Sequence, residues 1–287
     1  MTTTRKKISL GALRDLKTKG IPAAAITSYD YPSAVFADDA GMDWVLVGDS
    51  GGMTVLGYKN TMPVTMEEML HFAKAVTRGS KYAYVIGDMP FMSYQLSNES
   101  AVHNASRFLA EAGCDAVKLE GGLAMCDRIR AITDAGIAVM GHLGLTPQSI
   151  SLQGGYKIYG KTLEEYQRVL IDAKAVERAG ASFLLLEAMP EEPARMIRDE
   201  LSIPVYGIGA GAKLDGQLLI MHDVLGVFVG DIEPKFAKRY LEGRRLITQA
   251  MTEYAAEVRS GQFPGPQYLY PIAPDALAEI IAHAAKK

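Results

Sequence analysis

One pattern recurs along this chain and restricts its fold more than any other feature. A short aliphatic or β-branched run ends in a polar or acidic residue, a Gly- or Pro-containing loop follows, and a stretch with helical periodicity comes next. Near-continuous apolar runs are typical of parallel strands that are covered on both faces. We predict strands in the segments 23–30, 44–49, 82–88, 116–122, 137–142, 183–188, 204–211 and 226–231.

Helices are predicted between these runs from their start and stop residues. The segment 64–79 has Thr65 as its cap, Glu68 three residues later as in a capping box, and Gly79 at its end. Two further segments follow the same pattern: 97–113, which begins at Ser97, and 162–180, which begins at Thr162. Alternating strands and helices predict an α/β fold, a (β/α)8 TIM barrel, with a doubly wound open sheet as the alternative.

The rest of the chain predicts helices without a separate core. Residues 234–261 are interpreted as one long amphipathic helix or a helix pair, and residues 275–287 as a last short helix. No linker rich in Pro, Gly or Ser divides the 287 residues. We therefore predict a single barrel domain over residues 1–287 with a C-terminal helical extension at about 262–287.

Charge and hydropathy exclude several classes of protein. The net charge of −3 provides no basic surface for nucleic acid. The basic start MTTTRKK is not followed by the apolar segment of a secretory signal, and no apolar run approaches the roughly 18 residues that span a bilayer. We expect a soluble, cytoplasmic protein with no membrane or nucleic-acid partner.

Ionisable residues collect at the ends of the predicted strands. Parallel barrels carry their active sites at the carboxyl ends of the strands. Carboxylates that converge there repel each other, and a hard divalent cation such as Mg²⁺ would neutralise them. For one acid alone, a helix cap is the simpler interpretation, but acids at four strand ends favour a site. The residues concerned are Asp49, Asp88, Lys118, Glu120, His142 and Glu187.

Two glycine-rich stretches raise the possibility of phosphate binding. The stretch GDSGGMTVLG lacks the Lys-[Ser/Thr] of a P-loop and the spacing of a dinucleotide turn. The stretch 206–217 follows the seventh predicted strand and is better placed for a barrel phosphate site. A tight, closely packed turn explains its glycines equally well.

The chain resembles the ketopantoate hydroxymethyltransferase family, also called the 3-methyl-2-oxobutanoate hydroxymethyltransferase family. The most specific segments are GHLGLTPQS and GIGAG…DGQ, and others include TSYDYPSAVFADDAG, VLVGDSGGMTVLGY, GDMPFMSY and AGCDAVKLEGG. The resemblance implies a phosphoenolpyruvate/pyruvate-type TIM barrel and a homo-oligomer, specifically a decamer. It also implies Mg²⁺-dependent transfer of a hydroxymethyl group from 5,10-methylenetetrahydrofolate to 3-methyl-2-oxobutanoate, in pantothenate and coenzyme A biosynthesis.

The resemblance also implies roles for individual residues. Glu187 would be the general base that removes the C3 proton of the keto acid, while Mg²⁺ acts as the Lewis acid. The metal ligands would be Asp49, Asp88 and Glu120. The residues in contact with the keto acid would be Asp49, Ser50, Asp88, Lys118 and His142. The folate-binding residues stay unassigned.

The sequence departs from the family pattern at a few positions. Gly51 stands where a leucine is common, which predicts a roomier mouth, and Lys59, Asn60 and Ala188 also differ. These departures keep open a paralogue that acts on another 2-oxo acid. A second alternative is an enzyme of the phosphoenolpyruvate mutase/isocitrate lyase type, although the K-[KR]-C-G-H motif of that group is absent. A third is a barrel that binds a small ligand without catalysis.

Overall fold

The structure, a computed structural model, describes residues 5–153, 155, 157–230 and 234–286. The chain divides into two compact units, Met1–Tyr240 and Leu241–Lys287. The first unit contains the strands β1 (Ala23–Thr27), β2 (Trp44–Val47), β3 (Tyr84–Asp88), β4 (Ala116–Glu120), β5 (Val139–Gly144), β6 (Phe183–Glu187), β7 (Val205–Ile208) and β8 (Gly216–Leu219).

The eight strands are parallel and close into a barrel in chain order. Closure depends on the pairing of β1 with β8, in which Ala23 lies opposite Gly216. The (β/α)8 prediction is therefore confirmed, and the open-sheet alternative is wrong.

Helices surround the barrel. In the first unit they are α1 (Leu10–Thr18), α2 (Tyr31–Asp39), α3 (Gly51–Thr54), α4 (Met66–Gly79), α5 (Asn98–Ala110), α6 (Cys126–Asp134), α7 (Ile150–Gln153), α8 (Leu163–Arg178), α9 (Glu191–Asp199) and α10 (Met221–Val224). Short 3-10 turns cover Leu123–Met125 and Pro147–Ser149. Among the described residues, no helix combines the length and apolar character needed to cross a membrane.

The caps that the sequence predicts are present. The Thr65 hydroxyl accepts a hydrogen bond from the backbone N–H of Glu68, whose carboxylate accepts one from the N–H of Thr65. Ser97 and Thr162 cap α5 and α8 through the same contact to the third residue of each helix. These capping bonds, reciprocal at Thr65, satisfy backbone donors that the first turn of a helix leaves unpaired.

The eighth strand lies elsewhere than predicted. The segment 226–231 was predicted, but the described residues 226–230 form no strand, Val229 is 73% exposed, and residue 231 lies outside the described residues. The observed β8 is only four residues long, and its Gln217 is exposed. Its apolar signal is therefore weak, while Gly216 lets the backbone approach β1 so closely that a Cβ would lie 2.4 Å from the Ala23 carbonyl oxygen.

The core has two parts. One fills the space between the outer face of the sheet and the helices, and the other fills the barrel itself. The interior contains packed aromatic rings: Trp44 and Tyr206 are tilted with ring centroids 4.9 Å apart, and Tyr84 and Phe183 pack edge to face at 5.8 Å. Because these rings fill the lower barrel, space for a ligand exists only above them, at the carboxyl ends of the strands.

The second unit contains α11 (Gly243–Ser260), α12 (Pro274–Ala284) and a 3-10 turn, Pro266–Tyr268. The last short helix is thus confirmed, but the long helix begins at Gly243, and residues 234–242 form no helix. The reason lies in the first unit, where the N–H of Tyr240 donates to the carbonyl of Val224 instead of to a helical partner. The single-domain assignment stays a prediction.

Candidate active site

The predicted site residues lie at the carboxyl ends of five consecutive strands. Strand register places Asp88 opposite Lys118, Glu120 opposite His142, and Gly144 opposite Glu187. Alternation along each strand points these side chains into the barrel, one layer above the aromatic core. Asp49 lies two residues beyond the end of β2.

Lys118 is the charged centre of the site. Its Nζ donates to both carboxylate oxygens of Asp88 at 2.8 Å and lies 3.5 Å from Glu120 Oε1. Burial lowers the pKa of Lys118, but the negative charges of Asp88, Glu120 and Asp49 raise it by more, so the net shift is upward. The lysine is therefore a permanent cation although it is only 3% exposed.

His142 links two carboxylates. Its Nδ1 lies 3.1 Å from Glu120 Oε1, and its Nε2 lies 3.1 Å from Glu187 Oε2, outside good hydrogen-bond alignment. Burial and Lys118 lower the pKa of His142, but the Glu120 charge and the two carboxylate contacts outweigh them and raise it to about 9. The imidazole is therefore protonated at neutral pH and is a second cation.

Asp49 carries charge that is poorly compensated. Its backbone N–H donates to Asp88 Oδ2 at 3.2 Å, so the two aspartates are immediate neighbours. Burial and the negative charge of Asp88 raise the pKa of the Asp49 carboxyl well above its usual range, despite the opposing effect of Lys118. Ser50, the next residue, shares a 2.8 Å hydrogen bond with the Tyr29 hydroxyl.

The charges of the mouth do not balance. Asp49, Asp88, Glu120 and Glu187 supply four carboxylates against the two cations Lys118 and His142. Buried anions without partners are costly, and an oxygen-only donor set is the type that Mg²⁺ prefers. The donor set thus fits a divalent cation in its chemistry. In the described part of the chain, no three such side chains already enclose one point, and Lys118 lies between Asp88 and Glu120.

Three polar residues of the mouth were not predicted from the sequence as site residues. Gln148 and Tyr94 are buried and contact the carboxylate row, and Tyr29 contacts Ser50. Each lies in a segment that carries the family resemblance, TSYDYP, GDMPFMSY or GHLGLTPQS. Their position within these segments was the one sign in the sequence that they could belong to the site. The sequence did not indicate which strand end each side chain would reach.

The sequence predicts that Gly51 makes the mouth roomier, and this prediction is wrong. It is buried at the start of α3, and a Cβ there would lie 2.7 Å from Tyr29 Cδ1 and 3.0 Å from Phe72 Cε2. The aromatic rings occupy the space that a leucine would need. Gly51 therefore allows the start of α3 to pack closely against the rings of Tyr29 and Phe72.

The glycine-rich stretch 206–217 is a closely packed turn. The backbone N–H of Ala212 already donates to the Glu191 carboxylate at 2.8 Å, and a Cβ on Gly211 would lie 2.5 Å from Glu191 Cβ. A carboxylate on the amide that a phosphate would use repels that phosphate. Of the two interpretations, the structure favours the tight turn.

Sequence comparisons identify similar proteins. The family model described as "Ketopantoate hydroxymethyltransferase" matches residues 7–266. A protein of Carboxydothermus hydrogenoformans, named 3-methyl-2-oxobutanoate hydroxymethyltransferase, is 50% identical and covers 96% of this chain and 99% of its own. A Dehalococcoides mccartyi protein of the same name is 51% identical over 90% of this chain and 92% of its own.

Solved structures share the fold at low sequence identity. A phosphonopyruvate hydrolase complex with oxalate and Mg²⁺ has a TM-score of 0.60 and 14% identity, and the match covers 97% of this chain and 96% of that one. A 2,3-dimethylmalate lyase of the PEP mutase/isocitrate lyase superfamily has a TM-score of 0.60 and 17% identity, with 97% and 94% covered. These structures confirm the type of barrel.

Proposed function

The chain belongs to the ketopantoate hydroxymethyltransferase family, and from that premise we propose how its barrel mouth carries out the reaction. The chain is a transferase that makes ketopantoate from 3-methyl-2-oxobutanoate, a step in pantothenate biosynthesis. We propose 5,10-methylenetetrahydrofolate as the one-carbon donor and Mg²⁺ as the metal.

The observation that carries this mechanism is the unbalanced charge of the mouth. Two negative charges of the carboxylate row have no counter-charge in Lys118 and His142, and burial together with the charge of Asp88 raises the pKa of the Asp49 carboxyl. A divalent cation would neutralise this excess. The ligands that we propose for it are Asp49, Asp88 and Glu120, and it would act as a Lewis acid on the bound 2-oxo acid.

The chain's own residues would bind the keto acid around Lys118. The buried ammonium stabilises negative charge on the substrate in a region that excludes water. The Ser50 hydroxyl, oriented by Tyr29, would donate a hydrogen bond to the substrate carboxylate. Asp49, Asp88 and His142 would complete the contacts to the keto acid.

Glu187 would act as the general base. Its side chain is 16% exposed, whereas that of Glu120 is 1% exposed, so a bound ligand can reach Glu187 from the mouth. Its carboxylate would accept the C3 proton, and C3 would bond to the methylene carbon as the first of its two bonds to folate nitrogens breaks. Water would supply the hydroxyl oxygen as the second C–N bond breaks, and the protons from C3 and from water would pass to the two nitrogens of the tetrahydrofolate that leaves.

The test is a direct assay of the purified protein. Incubation with Mg²⁺, 5,10-methylenetetrahydrofolate and 3-methyl-2-oxobutanoate should form ketopantoate, and EDTA should abolish the product. Other 2-oxo acids serve as competing acceptors in the same assay. Product formation that persists in EDTA would contradict the metal's role, and a faster reaction with another 2-oxo acid would identify a paralogue.

We also propose that the protein is a cytoplasmic homo-oligomer, the decamer that the family resemblance implies. The second unit exposes several large apolar residues, including Met251 (67%) and Tyr254 (58%), which suits burial against other copies. Sedimentation velocity should then give a mass near ten times the 31.1 kDa of one chain. A monomer at micromolar concentration would contradict the proposal.

A further inference from the structure

Gln148 lies between two of the buried carboxylates. It belongs to the 3-10 turn Pro147–Ser149 after β5 and is 4% exposed. Its side-chain Nε2 donates to Asp49 Oδ2 at 3.0 Å, and its backbone N–H donates to Glu120 Oε2 at 2.9 Å. One residue therefore holds acids that come from β2 and β4, on opposite sides of Asp88.

The contacts of the Gln148 amide leave it a single orientation. Nε2 also donates to the carbonyl of Met89 at 3.0 Å, and a backbone carbonyl can only accept a hydrogen bond. The amide nitrogen must therefore face Met89 and Asp49. The other end, Oε1, accepts a 2.7 Å hydrogen bond from the Tyr94 hydroxyl.

Tyr94 connects this amide to the backbone of β4. Its ring is 1% exposed, and its hydroxyl accepts a 3.1 Å hydrogen bond from the backbone N–H of Glu120. The hydroxyl therefore has its donor directed at Gln148 and its acceptor directed at Glu120. Tyr94, Gln148 and Glu120 form a closed ring of hydrogen bonds, and Asp49 is attached to it through Gln148 Nε2.

We propose that Gln148 is a positioning residue that sets the separation and orientation of Asp49 and Glu120 so that both can hold one divalent cation. The proposal rests on the function proposed above. Gln148 occupies Asp49 Oδ2 and Glu120 Oε2, which leaves Asp49 Oδ1 and Glu120 Oε1, the oxygen that Lys118 and His142 contact, as the atoms that would bind the cation. Without its side chain, Asp49 loses the contact that ties it to Glu120, and the two like charges are free to turn apart, while the Gln148 backbone N–H, Lys118 and His142 still hold Glu120.

The test measures metal binding directly. Mn²⁺, which has a ligand preference similar to that of Mg²⁺, is titrated into the metal-free protein and followed by electron paramagnetic resonance. Gln148→Met keeps the side-chain volume and removes the amide, and it should weaken Mn²⁺ binding roughly 10- to 100-fold. Gln217→Met, at an exposed glutamine on β8, is the matched control and should bind as the parent does.

A second variant separates positioning from folding. Tyr94→Phe keeps the buried ring and removes only the hydroxyl that orients the amide, and it should weaken Mn²⁺ binding by at least about 3-fold. At saturating metal, both variants should recover most of the parent's kcat, because neither residue touches the substrate in this proposal. A general packing defect would lower kcat at every metal concentration.

The outcomes are distinct. If the parent binds Mn²⁺ and Gln148→Met and Tyr94→Phe bind it within two-fold of the parent, the positioning role is overturned while the metal site stands. If the parent itself binds no Mn²⁺, the metal in the proposed function fails, and the positioning role fails with it. If Gln148→Met does not fold, the Tyr94→Phe result decides alone.

Discussion

The backbone around Glu187 is held by unusual conformations at Gly144, the last residue of β5, and at Ala188, the residue after β6. Gly144 has φ +89°, and a Cβ there would lie 2.3 Å from the Glu187 carbonyl oxygen. That carbonyl accepts a hydrogen bond from Leu145 at 3.0 Å, and Ala188, the next residue, has φ +51°. A non-glycine residue in the left-handed region stores strain, which here fixes the direction in which Glu187 points.

The first residue-scale prediction concerns this acid. Glu187→Gln should still bind 3-methyl-2-oxobutanoate, but it should lose C3 deuterium exchange by about 100-fold or more, because an amide cannot accept the proton. Exchange is followed by NMR in D₂O without folate. Glu164→Gln, an exposed glutamate in the first turn of α8, is the matched control. Normal exchange in Glu187→Gln would remove Glu187 as the base.

Gly51 provides a second residue-scale prediction. Gly51→Leu should lower the free energy of unfolding by about 1–3 kcal/mol, because its side chain meets Tyr29 and Phe72. Urea titration monitored by circular dichroism measures the change. Gly11→Leu, at an exposed position on α1 with no close neighbour in the path of its Cβ, should be neutral or stabilising. Equal stability of the Gly51 variant and the parent would show that the rings move aside.

At the scale of elements, α4 illustrates how local sequence positions the site. The helix packs on β2 and β3, which end near Asp49 and at Asp88, and its capping box fixes where it begins. Of its residues, Met69, Leu70 and Val76 are buried against the sheet. The start of the helix therefore sets which of its residues meet the strands that carry two of the acids.

The element-scale prediction tests that cap. Thr65→Ala removes the hydroxyl that accepts from the Glu68 N–H and should lower the free energy of unfolding by about 1 kcal/mol. Thr65→Ser keeps the oxygen and should restore most of the loss. Thermal unfolding of the three proteins gives the comparison. Equal losses in the two variants would point to packing of the threonine methyl group instead of the cap.

At the scale of the whole molecule, Asp215 ties together the end of the barrel opposite the site. Its carboxylate, 1% exposed, accepts from Lys17 at 2.9 Å, from Arg198 at 2.7 Å and from the N–H of Val205 at 2.9 Å. Its carbonyl accepts from the N–H of Ala23 at 2.9 Å. One residue thus joins α1, α9, β7 and β1 where the barrel closes.

We predict that Asp215→Ala lowers the free energy of unfolding by about 3–5 kcal/mol, because it removes the buried carboxylate that pairs with both Lys17 and Arg198. Asp199→Ala is the matched control, since it removes an exposed partner of the same arginine and should cost about 1 kcal/mol or less. Chemical denaturation measures both. Similar losses in the two variants would show that the buried pair is no stronger than the surface one.

The prediction from sequence succeeded where the signal was local. The helix caps, seven of the eight strands and the acids at strand ends can all be read from neighbouring residues, because helix starts and buried strands depend on short-range patterns. It failed at β8, where four residues with one exposed glutamine carry little apolar signal. It left two interpretations open at the glycine-rich turn, whose amide is occupied by a distant glutamate.

The sequence by itself determined the alternation of elements, the family and the set of charged residues at the strand ends. Only the tertiary structure decided that β1 closes on β8, that Lys118 lies between Asp88 and Glu120, and that Gln148 joins Asp49 to Glu120 across 99 and 28 positions of the chain. The physical reason is that, apart from the contact between Lys118 and Glu120 on the same strand, these contacts join segments far apart in sequence. Their geometry follows from strand register and barrel closure, which no local pattern encodes.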